Sequence, residues 1–250
     1  MFKKYLIIIL LSNLFSTFSI VAIDTETGEI GSAGGSCISG SIIISDIHPG
    51  VGAIHTQSYY LPENQNYASE LMDQGYTSNQ IINNLVLNDA QNNPGIRQYG
   101  VISLNNVGES ASYTGGNCSD WKGHLNETIY AIQGNILLNS SVLDSMESNF
   151  INTNGPLSHK LMAALQGAKI PGADSRCLDE GISTFSAFIR VAQPNDINEY
   201  YLDLNVNSVI PYFTQNNIWI DPIDTLQTLY NQWYETSFEY ELGDINQDLI

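Results

Sequence analysis

Residues 12–24 read "SNLFSTFSIVAID". From Thr17 onward the pattern alternates, and Asp24 leads into the turn signal "TETGE" at 25–29. Alternation closed by a turn predicts a hairpin pairing 18–24 with 29–36. Upstream, Lys3 and Lys4 precede the apolar run "YLIIILL" (5–11). A positive end followed by a short apolar run predicts a cleaved signal peptide over 1–16, and the run is too short to span a bilayer. The position of the cut decides what Thr17 is. A cut after Ser16 makes Thr17 the first residue, with a free amine beside its hydroxyl, and leaves the strand whole. A cut after Ser19 satisfies the small-residue rule better but removes half of the strand.

Beyond the hairpin, "SIIIS" (41–45) and "VGAIHTQS" (51–58) read as strands. Two helices follow. "ENQNYASELMDQG" stops at Gly75, and "TSNQIINNLVLND" opens with Thr77 and Gln80 spaced as a capping box. Strands return at 98–104, 110–115 and 128–135. "SVLDSMESNFIN" and "PLSHKLMAALQG" read as a second helical pair, the latter with Pro156 in its first turn and Gly167 at its end. Strands at 183–192 and 200–206 precede a last helix, capped by Asp221, whose Ile223, Leu226, Leu229, Tyr230 and Trp233 form one face. Strand pairs alternating with helix pairs predict a layered α+β domain over 17–242, sheets inside and helices outside.

The chain has 250 residues, with 8 Lys+Arg against 26 Asp+Glu and a formal net charge of −18. Nucleic acid is excluded as a partner, because phosphate contacts require clustered Lys and Arg. An anionic membrane surface is disfavoured on the same ground. The three cysteines, Cys37, Cys118 and Cys177, fit no C-x-x-C motif. In an oxidising space they form at most one internal disulfide and leave one thiol over.

No P-loop, H-E-x-x-H or G-x-S-x-G motif is present. Of the four histidines, His48 reads as a turn residue before Pro49–Gly50 and His159 as solvated. His55 alternates within a strand and is a pocket candidate, as is His124 after "DWKG". No pair has zinc-ligand spacing, so neither metal nor cofactor is expected.

The ordered blocks "TFSIVAID", "GVGAIHTQSY", "YTGGNCSDWKGH", "YAIQGNIL" and "KLMAALQG…PGADSR" resemble the bacterial domain-of-unknown-function family 1028 over about residues 17–192. The resemblance implies an N-terminal-nucleophile (Ntn) hydrolase fold, a four-layer αββα sandwich. It also favours Thr17 as the mature start, because relatives beginning Met-Thr-Phe-Ser expose the same threonine on losing Met. Cys37 and Cys177 stand outside the family pattern, which points to a bridge between them. The tail "GDINQDLI" (243–250) resembles the start of a dockerin-type calcium loop, with Asp244, Asn246 and Asp248 at positions 1, 3 and 5. It lacks the acid at position 12, and reads as a truncated module or a chance match.

The chemistry implied is that of an exported amidohydrolase. A threonine hydroxyl needs a nearby base, and a terminal amine with a pKa of about 7.7–8.0 can serve. Thr17 is then the nucleophile, Asn135 or the N–H groups of Gly34–Ser36 stabilise the oxyanion, and Asp24 orients the amine. Gln57, His55, His124 and Asp174 line the pocket for a small amide or peptide-like substrate. Each has a plainer structural reading, such as a turn for Asn135 or a pair with Arg176 for Asp174. The competing class is a non-catalytic secreted or envelope binding protein on the same fold. After processing no membrane span is expected, and an oligomer is left open.

Overall fold

The computed structural model describes residues 14–15, 17–104, 109–207 and 219–245, with side chains from 17 to 237 except Asn207. Most of the expected signal peptide, Ser16 included, and residues 246–250 of the dockerin-like tail lie outside the described residues. The elements are β1 (Leu14–Phe15), β2 (Thr17–Ile23), β3 (Ile30–Ser36), β4 (Ser45–His48), β5 (Gly52–Tyr59), α1 (Pro62–Asp73), α2 (Ser78–Leu87), β6 (Arg97–Ser103) and β7 (Glu109–Thr114). They continue with β8 (Gly123–Glu127), β9 (Tyr130–Asn135), α3 (Ser141–Asn152), α4 (Leu157–Ala168), β10 (Ser186–Ala192), β11 (Leu202–Asn207) and α5 (Pro222–Ile245).

The strands form two antiparallel sheets, giving the α+β class expected. One runs β1-β5-β6-β7, with β4 also on β5; the other runs β11-β10-β3-β2-β9-β8. The predicted hairpin is β2–β3, in register at Ile23↔Ile30. Period-2 alternation sends successive side chains to opposite faces. Phe18, Ile20, Ile132 and Ile189 pack under α3, α4 and α5 against Met146, Phe150, Leu161, Leu165, Leu226 and Tyr230. On the other sheet, Ile54, Tyr99 and Val101 pack under α1 and α2 against Leu71, Met72, Ile81 and Leu85. The remaining faces meet each other through Val21, Ile23, Ile30, Ile47, Ala53, Ile102 and Ala131. Each fully buried aliphatic side chain of this kind contributes about 1.5–3 kcal/mol.

Local signals account for the helix ends. Thr77 and Gln80 form a reciprocal capping box. Gly75 has φ +81°, the left-handed stop. Asp221 caps α5, its Oδ1 accepting from the Ile223 N–H at 2.9 Å. Four expectations change. "SIII" (41–44) is a 3-10 turn and only Ser45–His48 is a strand; four apolar residues without alternation do not distinguish the two. Gly167 does not end its helix, which runs to Ala168. A Cβ there would sit 2.3 Å from the Ser145 carbonyl oxygen, so Gly167 serves the close approach of α3 and α4. His48 ends β4 and is held by Asp73 at 2.6 Å; burial lowers its pKa, but the Asp46 and Asp73 carboxylates outweigh this and raise it. His159 is not freely solvated but packs edge-on against Tyr230 and Tyr234.

Cys37 and Cys177 form a disulfide, as the family pattern implied, and Cys118 is a buried free thiol. Among the described residues, no helix is long and apolar enough to cross a membrane.

Candidate functional site

At the Thr17 end of β2, the space between the sheets is polar. Thr17 and Ser19 on β2, Ser32 on β3, His55 and Gln57 on β5, Gln98 on β6, and Gln133 and Asn135 on β9 are all 0 % exposed. Burial of so many polar groups requires that they satisfy one another. Room for them comes partly from Gly100 on β6, where a Cβ would lie 2.0 Å from the Gln133 Oε1.

The donor inventory fixes the direction of the network. The Gln57 amide nitrogen donates to the Thr17 carbonyl (3.2 Å) and to the Gln98 Oε1 (2.8 Å), so the Gln57 Oε1 accepts from the Ser19 hydroxyl at 2.6 Å. Ser19 Oγ then accepts from Gln133 Nε2 (2.7 Å) and, in the tautomer protonated on Nδ1, from His55 (2.9 Å), whose Nδ1 also lies 3.1 Å from Gln133 Nε2. In that tautomer the His55 Nε2 accepts from the Ser32 hydroxyl (2.6 Å), which in turn accepts from Ser45 (2.7 Å). A one-way chain therefore runs Ser45, Ser32, His55, Ser19, Gln57, and ends on the Thr17 carbonyl. Burial, with a smaller push from Arg190, lowers the His55 pKa to about 3. His55 is thus a neutral relay with both ring nitrogens engaged.

Thr17 stands opposite Asn135 in the β2–β9 register. Its Oγ1 is buried with no hydrogen-bond partner. Asn135 Nδ2 donates to Gln98 Oε1 at 3.1 Å. Gln98 Nε2 reaches Thr114 Oγ1 at 2.8 Å, and Thr114 meets the exposed His124 at 2.9 Å, so His124 marks the rim of the layer. Gln57, His55 and Asn135 are thus gathered beside Thr17, with His124 at one remove.

Two predicted residues are placed otherwise. Asp24 follows the far end of β2, about 20 Å from Thr17 at a strand's rise per residue. It shapes the turn instead, accepting from the Glu26 N–H at 2.8 Å. Asp174 is buried near the site, but its oxygens are used structurally: they accept from the Cys37 N–H (2.7 Å) and from Arg176 Nη2 (2.8 Å). Gly34 and Gly35 lie in β3 between β2 and β10, in register with both. Their backbones are part of the sheet ladder.

Sequence reading missed Ser19, Ser32, Gln98 and Gln133, although glutamines inside the apolar strands "QYGVIS" and "YAIQGN" were a signal. It also missed the buried Asp89–Arg97 pair, with Arg97 Nε to Asp89 Oδ2 at 2.8 Å. Arg97 donates as well to the Tyr59 carbonyl and to Gln91, tying down the end of β5. Burial would raise the Asp89 pKa, but hydrogen bonds from Arg97, the Asn93 N–H and Asn64 outweigh it and hold it at about 2. Among the described residues, no three of His, Cys, Asp and Glu converge as metal ligands.

These two groups predict separate acid windows. Between pH 6.5 and about 3 the unfolded chain binds a proton at His55 that the folded chain refuses, so stability falls as pH drops through that range. The Asp89 contribution is complete above its ordinary 3.8 and is lost as pH falls towards about 2. Urea midpoints of His55→Gln across pH should show the first slope flattened. Asp89→Asn, which strands a buried guanidinium, should cost about 3–5 kcal/mol at neutral pH and progressively less below about pH 4. Slopes unchanged from the parent protein in both variants would contradict these assignments.

A crystal structure of protein SPO2555 from Silicibacter pomeroyi, itself assigned to DUF1028, matches this fold with a TM-score of 0.68 at 24 % identity, over 87 % of this chain and 88 % of that one. No curated protein matches. The sequence model for the family of unknown function DUF1028 matches residues 17–210, beginning on the threonine that opens β2. The chain belongs to the DUF1028 family.

Proposed function

We propose that this protein is an exported amidohydrolase of the N-terminal-nucleophile type, with its two facing sheets and outer helices as the αββα sandwich and Thr17 as nucleophile. The observation that carries the reading is the Thr17 hydroxyl: fully buried, facing a polar layer, and without a hydrogen-bond partner. An unpaired buried hydroxyl costs about 1–3 kcal/mol. The hydroxyls of Thr56, Ser58 and Ser112 share that state, and what sets Thr17 apart is its place opposite Asn135, where the family match begins. Cleavage after Ser16 places an α-amine on the same residue, and with a pKa of about 7.7–8.0 its neutral form is accessible near neutral pH.

In the reaction, Thr17 Oγ attacks the carbonyl carbon of an amide as the amine takes the hydroxyl proton. The oxyanion forms beside Asn135. The C–N bond breaks, the amine returns its proton to the departing nitrogen, and an ester on Thr17 remains. Water then hydrolyses the ester and restores the hydroxyl. Gln57 acts as a positioning residue, holding the Thr17 carbonyl and with it the rotation of the terminal residue. His55 supports Gln57 through Ser19 and stays uncharged throughout.

The intact mass of the exported protein tests the premise. A chain beginning at Thr17 is expected; one beginning at Ile20 removes the nucleophile and ends the proposal.

A further inference from the structure

Resting on the Thr17 reading, we infer that the outer edge of β5 at Ser58–Tyr59 is the substrate-binding edge, and that it takes an extended peptide-like chain where the leader's Leu14–Phe15 now lies. β1 pairs antiparallel with β5, with Leu14 opposite Tyr59 and Phe15 opposite Ser58. β4 occupies the same edge of β5 only from Gly52 to His55. Loss of the leader therefore opens the edge beside the new terminus. Open strand edges are templates for pairing with a further chain.

The register gives the edge its chemical meaning. One step beyond the Phe15↔Ser58 pair lies Gln57, whose amide holds the Thr17 carbonyl. A chain laid along β5 in the leader's direction thus delivers its next carbonyl to the Thr17 end of the site. The leader is bound as the acyl part of a substrate would be.

The edge also carries an unusual backbone. Ser58 has φ +70°, a left-handed backbone that a serine seldom adopts, and it is fully buried. Such strain persists where the surroundings over-determine it, and it clusters at ligand clamps. The surroundings here are Arg97, fixed by Asp89 and Gln91, gripping the Tyr59 carbonyl. A preorganised edge reduces the ordering cost of binding. The net charge of −18 favours neutral or basic chains over acidic ones.

The test uses mature protein beginning at position 17, as wild type and as Thr17→Ala, with an acetylated peptide of residues 12–16 carrying a free carboxylate as probe. Saturable binding to both proteins is expected by calorimetry, with amide exchange at Ser58 and Tyr59 slowed by about tenfold or more. The same peptide N-methylated at its Leu14 and Phe15 positions should not bind, because it cannot pair with a strand. Absence of binding, or equal binding of the methylated peptide, overturns the inference. A β-lactone probe for N-terminal threonine is run in parallel on the wild type. Labelling without peptide binding removes the edge and leaves the nucleophile; peptide binding without labelling does the reverse.

Discussion

Acylation by a β-lactone, and turnover of any amide substrate found, are lost when one residue is left in front of Thr17. The hydroxyl survives in that variant, but the amine becomes a non-basic amide nitrogen. Loss of a positioned general base costs about 10²–10⁴-fold. Thr17→Ala removes the nucleophile itself and should cost about 10⁴-fold or more. Thr17→Ser keeps both groups and should retain partial activity. Stability moves the other way. In the chain that retains the residues before Thr17, the hydroxyl is buried without a protein partner, so Thr17→Val replaces it by a methyl of similar shape and should gain about 1 kcal/mol. A Tm that rises by about 2–4 °C in that chain, with labelling lost in the processed variant, is the signature of a site kept at the expense of stability. A non-catalytic binding protein would tolerate the added residue, so activity that persists in the extended chain sinks the amine as base. His55 is a poor replacement, since it is neutral down to about pH 3 and both of its nitrogens are engaged.

The second large effect is removal of the disulfide. Cys37 and Cys177 close a loop with a sequence separation of 140. Loop-closure entropy for such a length gives about 5 kcal/mol, and measured values are commonly about 2–4. The double variant Cys37→Ala/Cys177→Ala should therefore lower Tm by about 10 °C in calorimetry. The damage should be directional. Cys37 follows β3, its N–H is held by Asp174, and the 3-10 turn Ser175–Cys177 sits beside Ile136, next to Asn135. Loss of the bridge should accelerate amide exchange at Ser36–Cys37 and Ser175–Cys177 before it does so in α1 or α2. A Tm within about 2 °C of the parent would show that the bridge adds nothing to packing that already holds.

Much of the scaffold was readable because its signals are short-range. The β2–β3 hairpin, the Thr77–Gln80 box, the Gly75 stop and the Asp221 cap each depend on residues within a few positions of one another. Where the local pattern is ambiguous, as in "SIII", or where a glycine serves a distant neighbour, as Gly167 serves Ser145, local reading assigned the wrong role. Asp24 was misplaced for a related reason: closeness in sequence to Thr17 is distance along a strand, and a strand is the conformation that separates its ends most.

The sequence by itself determined the α+β class, the order of most elements, and a family resemblance that begins on Thr17. Only the tertiary structure decided what surrounds that residue. Ser19 meets Gln57 across 38 positions and Gln133 across 114, and Gln57 meets Gln98 across 41. No local preference encodes such contacts. They arise because strand registers, set by burial of the apolar half of the same interface, bring the polar halves of two sheets face to face. Once there, each buried amide and hydroxyl must find its partner among the others, and the Thr17 hydroxyl and the Gln133 Oε1 are left without a protein partner.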